Sequence, residues 1–342
     1  SGVMMVYNRR KFFQKGLSAS MGIVASSSVY PFELFTSELV SKDSIKISIQ
    51  LYSYGLDLLN GKMDVLDFPK IVREEFGLGG AEYWNIPMLK KRKNKNYLGE
   101  IRNRAADYGI NNTLLLLDFF STEKGKLPLS LCSEKVEERN KAVEAHKEWV
   151  DIANEIGCSG IRVNLRSQNT SPSEVAKVSE ESLTKLIEYS SKQGLTIVIE
   201  NHGGYTSDPK WVVALMKKIK NKFLGTLPDF GTSNFCIRKE TSQNKDYFSS
   251  NCADQYDKYL GVEELLPYAK GISAKSRQFD KLGEETETDY KKMMSLIKKS
   301  DFEGYMAIEY EGGMMQKFGH KGKFLSSKEG IMATKSLINK YL

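Results

Sequence analysis

From residue 45 onward the chain alternates, eight times over, between a short β-rich run and a longer stretch of different character. The β-rich runs fall at 45–51, 81–84, 113–118, 160–164, 196–201, 225–229, 271–275 and 305–310. Helical spacing occupies 68–76, 98–108, 136–156, 179–193, 209–220, 262–268 and 289–299. In the run 136–156, for example, Val143, His146, Trp149, Val150 and Ala153 recur at intervals of three and four, with charges on the other faces. Gly157 then ends the helix, and the same helix–glycine–strand join returns at Tyr108-Gly109, Gln193-Gly194 and Glu303-Gly304. Parallel strands need long crossovers, and helices supply them, so this pattern predicts β/α units. Right-handed crossovers close eight such units most simply into an α/β fold of the (β/α)8 TIM-barrel type. An open doubly wound sheet is the rival. Its glycine fingerprint is missing, because Gly77-Leu78-Gly79-Gly80 precedes a strand instead of following one.

Length and composition agree with one large core: 342 residues, 40% hydrophobic and 27% charged. They exclude a disordered chain, a collagen and a small disulfide knot. No apolar run reaches the roughly 18 residues that an ordinary membrane-spanning helix requires, so no stable membrane insertion is expected. The formal net charge is +7, of which residues 1–28 carry four positive charges and no acid. The remaining +3 gives no reason to expect nucleic-acid binding. The run Lys90–Lys95 reads as the solvated start of a helix.

Residues 1–28 have the three parts of an export signal. Asn8-Arg9-Arg10-Lys11-Phe12-Phe13-Gln14-Lys15 resembles a twin-arginine motif. A weakly apolar stretch from Gly16 to Val24 and the small residues Ala25-Ser26-Ser27-Ser28 follow. The expected organisation is therefore a signal at 1–28, a lead-in at 29–44 and a barrel at 45–342. The expected location is the periplasm, or the cytoplasm if the signal is not used. Cys132, Cys158, Cys236 and Cys252 lack CxxC spacing, which argues against a cysteine zinc site. An exported chain has reason to pair some of them, and spacing alone leaves the pairing open.

In a TIM barrel the chemistry sits at the C-terminal ends of the strands. Three runs end there in acids: Ile199-Glu200-Asn201-His202-Gly203-Gly204, Pro228-Asp229-Phe230-Gly231 and Ala307-Ile308-Glu309-Tyr310-Glu311-Gly312. One such acid is an ordinary loop residue or helix cap. Three on runs five, six and eight predict a shared site.

These phrases, the last extended back to Gly304-Tyr305-Met306, resemble the xylose isomerase-like TIM-barrel superfamily, of the sugar phosphate isomerase and epimerase type. The resemblance extends loosely over residues 45–340. It implies one divalent cation held by two glutamates, an aspartate and a histidine from strands five to eight. It also implies that the two glutamates flank the substrate and move a proton next to a carbonyl. Glu200 and Glu309 match the catalytic glutamates. Glu200, Asp229 and Glu309 match three metal ligands. The histidine of strand seven is absent, and Ser273 stands in its place. Three carboxylates and water suit Mn²⁺ or Mg²⁺ better than zinc. Lys275 lies on the same face as Ser273, which offers an alternative in which its ammonium takes the cation's place.

Further substrate-binding candidates are His202, Lys275, Arg162, Asn164 and Glu82. His202 follows Glu200 by two, and Arg162 and Asn164 share a strand face. Tyr52 and Trp84 offer an apolar wall, and His320 a cover for the mouth. His146, inside a helix, reads as structural.

The expected function is a sugar isomerase or epimerase acting on a small-molecule carbohydrate, a keto-sugar or glycoside. A lyase acting on 3-keto-glycosides and a non-catalytic or metal-independent sugar-binding barrel are the alternatives. Endonuclease IV shares this barrel, but its multi-zinc chemistry needs more histidine than the three present here. The pattern leaves room for an oligomer.

Overall fold

The structure is a computed structural model that describes residues 44–120, 128–167, 170–239 and 251–342. The expected signal at 1–28 and all but the last residue of the lead-in lie outside the described residues. The strands are β1 (Ile45–Gln50), β2 (Gly80–Trp84), β3 (Asn111–Leu116), β4 (Gly160–Val163), β5 (Thr196–Glu200), β6 (Leu224–Leu227), β7 (Cys236–Lys239), β8 (Cys252–Gln255), β9 (Ile272–Ser276) and β10 (Gly304–Tyr310). Eight of them form one parallel sheet in the order β6-β5-β4-β3-β2-β1-β10-β9. These are the eight runs anticipated from sequence.

The seam between β6 and β9 closes the ring through two parallel bridges, Thr226 with Ala269 and Asp229 with Ser273. Pro228 has no N–H to give, so the regular ladder of β6 stops at Leu227. Its carbonyl still accepts from Ser273 N at 2.9 Å, and Phe230 N donates to Ser273 O at 3.2 Å. The seam thus pins Asp229 beside β9.

Most helices match their expected positions, including Lys95–Asp107, Val136–Glu155 and Pro209–Ile219. The run read as 179–193 begins earlier, as Pro172–Ser190. Ser171 caps it by accepting from Glu174 N, and Pro172 fills the first turn, where its missing N–H is harmless. A C-terminal helix, Ser327–Tyr341, was not anticipated; its Ser326/Glu329 capping box was the available signal. In the basic run only Lys95 is helical. Gly109, Gly157 and Gly194 take positive φ after their helices, which lets the chain turn sharply into the next strand. The antiparallel hairpin β7–β8 is an addition to the barrel, tied by a Cys236–Cys252 disulfide. Cys132 and Cys158 are buried free thiols.

Alternate strand residues face opposite ways. Ile49, Tyr83, Leu115, Ile161, Ile197 and Ile308 join the core under the helices. Leu114, Leu116, Val198 and Leu227 form a separate cluster inside the ring. One step further toward the C-terminal ends, the interior becomes charged.

Candidate active site

Glu200 ends β5, Asp229 follows β6 by two residues and Glu309 is the penultimate residue of β10. One carboxylate oxygen from each lies within 4.8 Å of the other two, and all three residues are buried. The sequence expectation of a shared cluster corresponds to this geometry.

Two cationic side chains hold the cluster. Lys275 on β9 places Nζ 3.1 Å from Asp229 Oδ2, 3.4 Å from Glu309 Oε2 and 3.2 Å from Glu311 Oε1. Arg162 on β4 pairs its Nε with Glu200 Oε2 at 3.1 Å and its Nη1 with Asp118 Oδ1 at 2.9 Å. Ser273, on the same face as Lys275, donates Oγ to Glu309 Oε2 at 2.8 Å.

The mouth above is lined by the partly exposed His202, Asn164, Tyr52 and Arg277 and by the buried Trp84. His202 brings Nδ1 within 3.2 Å of Glu200 Oε2. Asn164 donates to Asp118 Oδ1 at 2.9 Å, as does Trp84 Nε1 to Asp118 Oδ2. Tyr52 packs edge-on against Trp84 with ring centroids 4.9 Å apart. Arg277 donates to Glu311 at 2.8 Å and pairs with Glu287. Glu82 is fully buried, with Gln50 donating to Oε2 at 3.2 Å and Oε1 unpartnered. β2 turns Glu82 into the barrel interior. His146 is buried and bonds Ala142 O through Nδ1, the structural place expected of it. His320 is exposed beyond the helix Gly312–Lys317.

The environments separate the two glutamates electrostatically. Burial pushes the Glu200 carboxyl up, but Arg162 and His202 outweigh it and hold it at about 2. Burial, reinforced by Asp229, Glu311 and Glu200, pushes Glu309 well above the usual carboxylate range despite Lys275. Asp229 is raised by burial and by Glu200, against the pull of Lys275. Lys275 itself is held charged: burial opposes the charge, and Asp229, Glu309 and Glu311 overcome that opposition. Glu82, raised chiefly by burial, rises to about 8. Paired carboxyl groups whose environments push them apart are suited to act as base and acid.

Three members of this network were not singled out from sequence. Asp118 closes the third β-rich run and was accessible to the same strand-end test that found the other acids. Glu311 lies inside the phrase around Glu309. Arg277 follows Lys275 by two and shares its face.

A family model described as xylose isomerase-like TIM barrel matches residues 73–329. The chain belongs to that family. Solved structures with the same fold include 3-keto-D-glucoside 4-epimerase from E. coli, at 13% identity and TM-score 0.58, covering 86% of this chain and 99% of that one. D-psicose 3-epimerase in the presence of D-fructose matches at 13% and 0.60, covering 86% and 99%. IolI protein with a binding zinc atom matches at 14% and 0.60, covering 87% and 99%. At these identities the likeness is one of fold. No curated protein sequence matches the chain. Among the described residues, no helix is long and apolar enough to cross a membrane.

A cavity of about 470 Å³ opens beside the helices Val136–Glu155 and Pro172–Ser190, lined by Cys132, Glu134, Arg139, Glu174, Lys177 and Glu181 among others. Its guanidinium is engaged by Glu181 and by the carbonyls of Ser133 and Glu134.

Proposed function

We propose that the chain is an isomerase- or epimerase-like enzyme that moves a proton on the carbon next to a carbonyl of a keto-sugar or glycoside. The observation that carries this reading is the convergence of Glu200, Asp229 and Glu309 at the C-terminal end of the barrel. Glu200, kept ionised by Arg162 and His202, takes the proton from carbon. Glu309, kept protonated by burial among other acids, returns one. The exchange leaves the two carboxyl groups with their roles reversed, ready for the opposite direction. Lys275 stands beside Glu309 and Asp229, where its positive charge favours the developing enediolate. Family membership and the epimerase folds support the same reading.

The acids also fit a hard divalent cation. Donors about 2.0–2.1 Å from a Mg²⁺ ion stand at most about 4.2 Å apart, and the three acid oxygens, within 4.8 Å of one another, would need only a small inward shift to reach it. Glu200 Oε2 and Asp229 Oδ2 make no hydrogen bond, although each lies near a cationic group. Glu200, Asp229 and Glu309, the last after losing its proton, would hold Mn²⁺ or Mg²⁺. Such an ion acts as a Lewis acid toward a carbonyl oxygen.

The test is solvent deuterium incorporation into a panel of free ketoses and 3-keto-glycosides in D₂O with added Mn²⁺. Glu309→Gln should slow incorporation at least about a hundredfold. Unchanged incorporation removes Glu309 from the mechanism.

Export belongs to the same proposal. It is supported by the twin-arginine-like segment and by a Cys236–Cys252 disulfide of the kind an oxidising compartment preserves. A mature chain starting near residue 29 in the periplasm is the expected result, and an uncleaved chain confined to the cytosol overturns it.

A further inference from the structure

We propose that Lys275 is the resident cation of the acid cluster, which a divalent ion must displace, so that this one side chain sets how weakly the native chain binds metal. The inference rests on reading Glu200, Asp229 and Glu309 as a cation site. It concerns what already occupies that position.

The ammonium lies 3.1 Å from Asp229 Oδ2 and 3.4 Å from Glu309 Oε2, two of the residues that a bridging ion would use, and 3.2 Å from Glu311 Oε1. It is held there by more than charge. Lys275 is 3% exposed, so its head group sits out of contact with bulk water. Tyr290 donates Oη to the Lys275 carbonyl at 2.9 Å and fixes the backbone beneath it. The aliphatic stem passes over Gly231, where an added Cβ would stand 2.8 Å from Lys275 Cδ. Glycine at 231 is therefore what leaves room for the stem. Ser273 adds a second donor to the same Glu309 oxygen that faces the ammonium.

An ammonium and a dication sharing these oxygens repel each other strongly in a poorly solvated interior. The ion can enter only if Lys275 withdraws. The oxygens an ion would need are already faced by cations, Asp229 Oδ2 by Lys275 Nζ and Glu200 Oε2 by Arg162 Nε, each at 3.1 Å. The geometry is thus one of competition between a tethered and a free cation. Ser273 and Lys275, two residues apart on one face of β9, form one device.

Mn²⁺ binding, followed by loss of the free-ion EPR signal, tests this without requiring turnover. Lys275→Met should bind one ion at least about tenfold more tightly than the native chain. Adding Glu309→Gln to that variant should remove the gain. Equal or tighter binding by the native chain overturns the proposal. If Lys275→Met does not fold, the melting midpoint of the native chain decides. It should be unmoved by about 10 µM Mn²⁺, and a clear rise at that concentration overturns the inference. Failure of deuterium exchange in every chain would count against the proposed reaction alone.

Discussion

Two layers inside the barrel lie one step apart on the same strands and obey opposite rules. Val198 and Glu200 on β5, Leu227 and Asp229 at β6, and Ala307 and Glu309 on β10 are each two residues apart, so each pair faces the same way. The lower members belong to the buried apolar interior, with Val198 and Leu227 packed against Leu114 and Leu116. The upper members are carboxylates, equally shut off from solvent. The apolar layer is stabilised by contact area, which any residue of similar volume supplies. The charged layer is stable only as a set, because each buried charge depends on a named partner. The closed lower layer also keeps water from screening the charges above it.

This contrast can be broken from either side. The largest stability effect should come from Arg162→Met, which leaves Asp118 and Glu200 without their guanidinium. Removing one partner of a buried pair costs about 3–5 kcal/mol. A urea melt that shows less than about 1 kcal/mol of loss would mean that the charged layer is not interdependent. Leu227→Ala in the layer below should cost about 2–4 kcal/mol through lost burial and a residual cavity. It should leave the pH dependence of stability unchanged, and a shifted acid limb in the melting curve would show that the layers are coupled.

An effect that depends on pH should follow from Glu82→Gln. The Glu82 carboxyl titrates near 8 when folded, above the ordinary value of 4.5, so the folded chain favours its proton. Below pH 4.5 that preference has no consequence. Between 4.5 and 8 the unfolded chain ionises first, and the native fold loses stability as pH rises. Glu82→Gln should match the native chain at pH 4 and exceed it at pH 8, by up to about 5 kcal/mol from the full linkage. Equal melting midpoints at both pH values would remove the argument. Glu200 and Glu311 act in the opposite sense. Both are held near 2, so the stability they contribute is present above about 4.5 and is lost as pH falls toward 2.

Sequence order carried the barrel because a period of two and a period near 3.6 are local properties of the chain, legible in 45–51 or 136–156 without any neighbour. Strand ends then marked Glu200, Asp229 and Glu309, since facing direction follows from the same period. The hairpin of Cys236–Lys239 with Cys252–Gln255 stayed hidden because its pairing joins segments that no periodicity connects. So did the grip of Lys275 on Glu311, the meeting of Arg162 with Asp118, and the burial of Glu82. Spacing along one strand says which way a side chain points. Only ring closure says what stands across from it, and for a charge out of reach of water that opposite neighbour decides whether it is base, acid or counter-ion.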